Sequence, residues 1–329
     1  MIALAASAAV LLATLGTAAA AQETKVAIGI AGWTGFAPLT LAKEAGFYKK
    51  RGLDVILQKI PQKDRHLAIA SGDIQCAATT VETWVVWNAN GVATTQIFQL
   101  DKSFGADGMV VKNGINSIKD LKGKTVAASA PGTAPYFTLA WMLRENGLSM
   151  KDVKVVNLEP QVAANAMIAG TAGIAAAMTY EPYLSAVRAK PEAGKIIATT
   201  LDYPIIMDTF GCTPKFLAEH PKAAKALTDA YFDALAMIKA QPKKSFEIMG
   251  ADVKQTAERF EESQKFLRWQ DREANIKFFA GEHAAFGRTR GETVENRPRT
   301  TDRGRGRKRR LLRDRGSRHR LAVILGGID

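Results

Sequence analysis

The chain writes nearly the same phrase twice. Residues 25–46 read KVAIGIAGWTGFAPLTLAKEAG, and residues 125–147 read TVAASAPGTAPYFTLAWMLRENG. Both parse alike. A short β-rich run, Val26–Ile30 or Val126–Ser129, leads into a Gly-rich turn, Gly32–Gly35 or Pro131–Thr133. A helix with Pro38 or Pro135 in its first turn follows, where the missing proline N–H costs nothing. Thr34 and Thr133 stand where an N-cap belongs, and Gly46 and Gly147 where a left-handed C-cap belongs. Second strands are predicted over Asp54–Leu57 and Val153–Val156.

The echo runs on. Ile74–Thr79 (IQCAAT) returns as Ile174–Thr179 (IAAAMT), each followed by a polar, aromatic turn, Thr80–Trp84 or Tyr180–Tyr183. Two βαβαβ units are therefore predicted, each a parallel sheet covered by helices, which makes an α/β protein of two lobes. In such sheets the ligand crevice lies beyond the carboxyl ends of the strands. The four turns after the strands all fall there, so they are expected to line one cleft between the lobes.

The 329 residues suffice for two lobes, and 47% apolar content supports packed cores. The net charge of +13 is unevenly spread. Residues 288–329 hold 14 Lys+Arg against 5 Asp+Glu, whereas residues 1–287 hold 31 against 27. The basic character is thus a property of the tail, not of the body. The opening stretch, IALAASAAVLLATLGTAAAA, is uncharged and ends in small residues, as a cleaved export signal over 1–21 would. An uncleaved membrane anchor is the alternative, disfavoured because Ala is a weak membrane former. Export points to a periplasm. Cys76 and Cys212 sit among apolar and small neighbours and read as buried thiols, although an exported protein permits a disulfide.

The runs GWTGFAPLTLAKEAGFYKKRGLDVIL, LAIASGDIQCAATT, INSIKDLKGKTVAASAPGTAPYF and AAMTYEPY, in that order, resemble the periplasmic solute-binding proteins of nitrate/sulfonate/taurine-type ABC transporters. The resemblance covers about residues 24–285. It implies a type II periplasmic-binding fold, two α/β lobes joined by two crossover strands with the ligand clamped between them. Lobe one is expected over 24–111 plus 200–286 and lobe two over 112–199, with hinges near Val111–Gly114 and Thr199–Tyr203. The helical end of lobe one would include ALTDAYFDALAMIKA, whose Leu227, Tyr231, Ala234, Leu235 and Ile238 keep helical spacing. Two departures stand out. The family often carries an acid where Gln75 and Ala175 stand, and the likeness stops near Phe286. Residues 287–329 have no apolar period and read as a disordered or frame-shifted tail; a genuine basic tail for nucleic acid or anionic lipid is the alternative.

Catalytic patterns are missing. His66, His220, His283 and His319 fall in no metal-ligand spacing, and there is no G-x-S-x-G. Lys124-Thr125 ends no P-loop, because Ile118 occupies the place of its first glycine. A thiamin-pyrimidine synthase of related fold needs a Cys-rich, His-bearing site that this chain lacks. The expectation is a binder, not an enzyme, with no cofactor or metal, working as a monomer with a small solute and an inner-membrane ABC permease, and not with nucleic acid. The candidate ligand residues are Trp33, Thr34, Thr79, Thr80, Glu82, Asp101, Asp107, Thr133, Tyr136, Tyr180, Glu181 and Asp208, with Lys102 the only cation near these turns. Helix N-termini after Gly32 and Gly132 suit a sulfonate, nitrate or carboxylate. Acids and rings outnumber basic groups, however, and favour a small nitrogen-rich solute of guanidine, urea or amine type. A taurine-, alkylsulfonate- or nitrate-type anion is the alternative, as is an exported interaction protein acting through its basic tail.

Overall fold

The computed structural model describes residues 23–280. The predicted export signal and the basic tail lie outside the described residues. The strands are β1 Thr24–Ile30, β2 Leu53–Lys59, β3 Cys76–Thr80, β4 Thr95–Ser103, β5 Asp107–Val111, β6 Thr125–Ala128, β7 Lys154–Asn157, β8 Ala176–Tyr180, β9 Lys195–Thr199, β10 Met207–Cys212 and β11 Leu267–Trp269. The helices are α1 Ala37–Glu44, α2 Arg65–Ser71, α3 Val81–Ala89, α4 Ala134–Glu145, α5 Pro160–Ile168, α6 Tyr183–Arg188, α7 Pro214–Glu219, α8 Ala223–Ala240, α9 Pro242–Asp252, α10 Ala257–Ser263 and α11 Arg272–Phe279.

They build two sheets. The first runs β11-β4-β10-β3-β1-β2 and the second β7-β6-β8-β5-β9. Each contains one of the duplicated units, as β2-β1-β3 and β7-β6-β8, paired in parallel. The inner strands β1, β3, β6 and β8 are mostly apolar or small, as strands covered on both faces require, while the outer β2 and β7 carry exposed polar residues. The repeat is not a uniform shift of one hundred, however. Ile60 N–H bonds to Ile30 O and Leu158 N–H to Ala128 O, a spacing two residues shorter. The missing two are made up in the Gly170–Gly173 turn, after which β3 and β8 match at one hundred.

Two strands cross between the sheets, each lying antiparallel beside the third strand of the unit it joins: β10 beside β3, and β5 beside β8. The expected boundary at 111/112 is therefore corrected. Residues 107–111 form β5 of the second sheet, and the first crossing is Phe104–Ala106. An all-buried strand such as DGMVV carries no mark of which sheet it joins. The hinge expected at Val111–Gly114 accordingly falls inside the second lobe; the other, at Thr199–Tyr203, falls at the end of β9 and in the crossing to β10.

The first lobe's core packs α1, α8 and α9 over the sheet, with Phe98 stacked on Phe210 and Tyr231. Leu227, Tyr231, Ala234, Leu235 and Ile238 form the inner stripe of α8, as their spacing predicts. The second lobe has two smaller clusters, one on each face of its sheet, around Leu139 and Met142 and around Ala163 and Met167. The cysteines depart from expectation. Cys76 on β3 stands opposite Cys212 on β10, and the two form a disulfide. They are 136 residues apart, so only the return of β10 to the first sheet reveals them as neighbours.

Candidate functional site

The two crossing strands enter their sheets the same way. Asp208, near the start of β10, is in register with Thr80, the last residue of β3. Asp107, at the start of β5, is in register with Tyr180, the last residue of β8. The duplication thus brings an aspartate from each crossing strand to the place where the sheets face each other. Of the candidate residues, Trp33, Thr79, Thr80, Asp107, Tyr180 and Asp208 line one void there.

That void holds only about 20 Å³, room for little more than one water. The expected open gap is filled by Gln62 and Arg65, which the sequence reading missed. The Gln62 Nε2 donates to the hydroxyls of Thr79 (2.9 Å), Thr80 (3.2 Å) and Thr83 (2.9 Å). Its Oε1 accepts from Ala134 N–H, at the start of α4 in the other lobe, at 3.2 Å. Arg65 opens α2 with only 1% of its surface exposed. Its Nε donates to Ile60 O and its Nη1 to Ala78 O, while Nη2 has no partner among the described residues. Burial lowers the guanidinium to about 10, which leaves it charged at neutral pH. Lys102, the expected cation, points to solvent.

The lobes also touch directly. Thr34 N–H donates to Glu181 O at 3.3 Å, Thr83 Oγ1 to Gly132 O at 3.2 Å, and the Trp33 ring stands edge-on to Tyr180 with centroids 5.3 Å apart. One N–H at each helix start offered as an anion site, Thr34 and Ala134, is thus taken by the protein itself.

Two buried carboxyls, Asp107 and Asp208, line the void, and two more, Asp101 and Glu82, lie buried behind its lining residues Trp33 and Thr80. Asp101 accepts from Trp33 Nε1 at 3.3 Å and is in register with Asp208 on the neighbouring strand. Desolvation pushes Asp101 up to about 8 and Asp107 up to about 7, and raises Asp208 well above the usual range. Glu82, in the first turn of α3, accepts from Thr80 Oγ1 and is pushed up by burial to about 8. One oxygen of Glu82 and one of Asp107 have no partner among the described residues. Gly35 lets the pieces fit, since a Cβ there would run into Trp33 Nε1 and the Asp101 carboxyl.

Other candidates lie elsewhere. Glu181 is fully buried, but its carboxylate pairs with Arg188 (2.8 Å) and accepts from Ser185 N–H, so it anchors α6. Thr133 caps nothing with its side chain; its hydroxyl donates back to Ala130 O at 2.7 Å. Tyr136 is half-buried on α4, away from the void. Thr34 lies within a short 3-10 turn behind Trp33, fully buried, and is not its N-cap. The loop PQKDRH gives no pattern that marks Gln62 and Arg65, because a polar turn before a helix looks like any other. Beside the void, a groove of about 800 Å³ runs between the lobes, meeting it at Ala31 and Tyr180 and flanked by Lys59, Glu159, Tyr183 and Asp252.

Fold and site together define a two-lobed α/β protein with a cleft between the lobes at the strand ends. Residues 33–245 match the NMT1/THI5-like family, and the chain belongs to it. The chain is similar to the alkanesulfonate-binding protein SsuA from Xanthomonas axonopodis pv. citri, solved with MOPS: 18% identity, 76% of this chain and 88% of that one, TM-score 0.66. It is also similar to the periplasmic nitrate-binding protein NrtA from Synechocystis PCC 6803: 20% identity, 78% of each chain, TM-score 0.65. A third likeness is to the Candida albicans CA3427 gene product, described as having the generic periplasmic binding protein fold: 16% identity, 75% of this chain and 82% of that one, TM-score 0.64. The fold is thus the type II periplasmic-binding fold that the sequence implies. No curated protein sequence matches the chain.

Proposed function

We propose that this protein is the extracytoplasmic solute-binding component of an ABC importer. It captures a small nitrogen-rich polar solute of guanidine, urea or amine type between its lobes and delivers it to an inner-membrane permease. The reading is carried by Asp107 and Asp208 on the wall of one inter-lobe void, with Glu82 and Asp101 buried behind its Thr80 and Trp33, against the single guanidinium of Arg65. A site so rich in buried carboxyls rewards N–H donors and penalises a second anion. Capture is conformational, not chemical: the solute's contacts to both lobes favour the closed form. The likeness to periplasmic binding proteins supports the same role and place.

An anion of sulfonate or nitrate type is the second reading. It draws on what the similar proteins are said to bind and on the free Nη2 of Arg65. The rival use of the basic tail as an interaction arm rests on residues outside those described.

A thermal-shift panel of guanidinium, urea, small amines, methanesulfonate and nitrate tests this. A bound solute raises the melting temperature by mass action. A cation also forces a raised carboxyl to ionise, so its affinity climbs as pH rises toward about 8. No shift with any member of the panel sinks the capture reading, and a shift with the anions alone replaces the main reading by the second.

A further inference from the structure

Resting on the capture reading, we infer that the cleft recognises a carbamoyl head group, an NH₂ joined to a C=O as in a carboxamide or urea, and that Gln62 holds that position until a solute displaces it. The inference follows from where the hydrogen atoms must go around the Gln62 amide. Thr80 and Thr83 have one hydroxyl proton each. The protein itself presents three takers: Glu82 Oε1, which accepts from Thr80; Gly132 O, which accepts from Thr83 at 3.2 Å; and the contact between the two hydroxyls at 2.9 Å. Whether Glu82 is ionised or keeps its proton, these three contacts use every proton the group has, so the Thr80 and Thr83 hydroxyls meet an incoming group with lone pairs only; Thr79, the third hydroxyl beside Gln62, keeps its own proton. Whatever sits there must donate. On the far side, Ala134 N–H is a donor that can do nothing else, so the same group must also accept.

A carbamoyl group satisfies both sides. A guanidinium has donors alone and leaves Ala134 N–H unpaired. A sulfonate or nitrate has acceptors alone and faces the lone pairs of Thr80 and Thr83. The Ala134 donor also fixes which end of the Gln62 amide is oxygen. Urea and acetamide match the Gln62 amide and its Cγ atom for atom. The void of about 20 Å³ is too small for either, so Gln62 must withdraw for the solute to enter. Two further buried atoms bordering the void await partners: Arg65 Nη2 as a donor and Asp107 Oδ2 as an acceptor. They offer the remainder of the solute the same donor-plus-acceptor pairing.

Calorimetric titration of the whole chain and its Gln62→Ala variant with urea, acetamide, guanidinium, methanesulfonate and nitrate tests this. Gln62→Ala is expected to bind urea and acetamide about tenfold tighter than the parent, the worth of roughly one good hydrogen bond, and in preference to the other three. Adding Thr83→Val should weaken urea and leave nitrate unchanged. Should Gln62→Ala not fold by circular dichroism, Gln62→Asn shortens the amide away from Ala134 and serves for the same comparison. A preference for guanidinium, methanesulfonate or nitrate overturns the carbamoyl assignment while leaving capture intact. Equal urea affinity in parent and variant overturns displacement of Gln62. Failure of the folded variant and the parent to bind any of the five removes both the assignment and the capture reading.

Discussion

The two duplicated units share a fold and divide the work of the cleft unequally. At the entry to its second helix the first lobe places Gln62, and the second places Pro160; one turn on, the first buries Arg65 and the second Ala163. The matched strand threonines show the result. Thr79 Oγ1 accepts from the side chain of Gln62, whereas Thr179 Oγ1 donates to the main-chain oxygen of Pro160 at 2.8 Å. So, Thr34 N–H aside, the first lobe reaches across the cleft with side chains, those of Gln62, Thr83 and Trp33. Apart from Asp107 and Tyr180, the second answers with backbone: Ala134 N–H, Gly132 O and Glu181 O. Duplication supplies the frame, and one copy then carries most of the recognition chemistry.

That contrast can be broken experimentally, most severely at the disulfide, which only the first lobe has. Replacing Cys76 and Cys212 by Ala should cost about 4 kcal/mol in urea unfolding, given the long loop they close. Hydrogen exchange should then rise in β3 and β10 before β5 and β8; equal loosening of both sheets would show that the lobes do not differ in this way. Next in size is Arg65→Ala. It removes two charge-assisted bonds to carbonyls and leaves the buried carboxyls without their cation, for a loss of about 3 kcal/mol. The matched Ala163→Gly should cost about 1 kcal/mol, mostly helix propensity. If both changes cost the same, the asymmetry is only one of appearance.

A third test uses pH. Asp101 and Glu82 are pushed up to about 8 and Asp107 to about 7, so the folded chain keeps protons that the unfolded chain gives up near pH 4. In that window the unfolded state binds fewer protons, and stability falls as pH rises. The melting temperature should therefore drop between about pH 5 and about pH 8, and Asp101→Asn should flatten the slope. A melting temperature that rises over this range contradicts the burial of these groups as neutral acids. The smallest effect is expected from Trp33→Phe, which keeps the ring beside Tyr180 and loses one bond to Asp101, for about 1 kcal/mol.

Much of this architecture is legible in the chain itself. The repeated phrase predicts both βαβαβ units, since strand, glycine turn and proline-led helix are local features with local causes. Trp33, Thr79, Thr80, Asp107, Tyr180 and Asp208 come from the rule that clefts sit at strand ends. What the sequence hides is what depends on a distant partner. Glu181 reads as a ligand contact until Arg188 is seen beside it. The two cysteines look like ordinary core thiols until β10 folds back. Gln62 and Arg65 are polar residues in a polar turn, and only the facing lobe turns them inward.

The bond between Cys76 and Cys212 closes a ring that contains every residue of the second sheet, because that sheet is built from the stretch between them. A protease that cuts any exposed turn of the second lobe would leave the pieces tied through the first. Such nicked molecules would run as one species on a non-reducing gel and fall into two bands once a thiol is added.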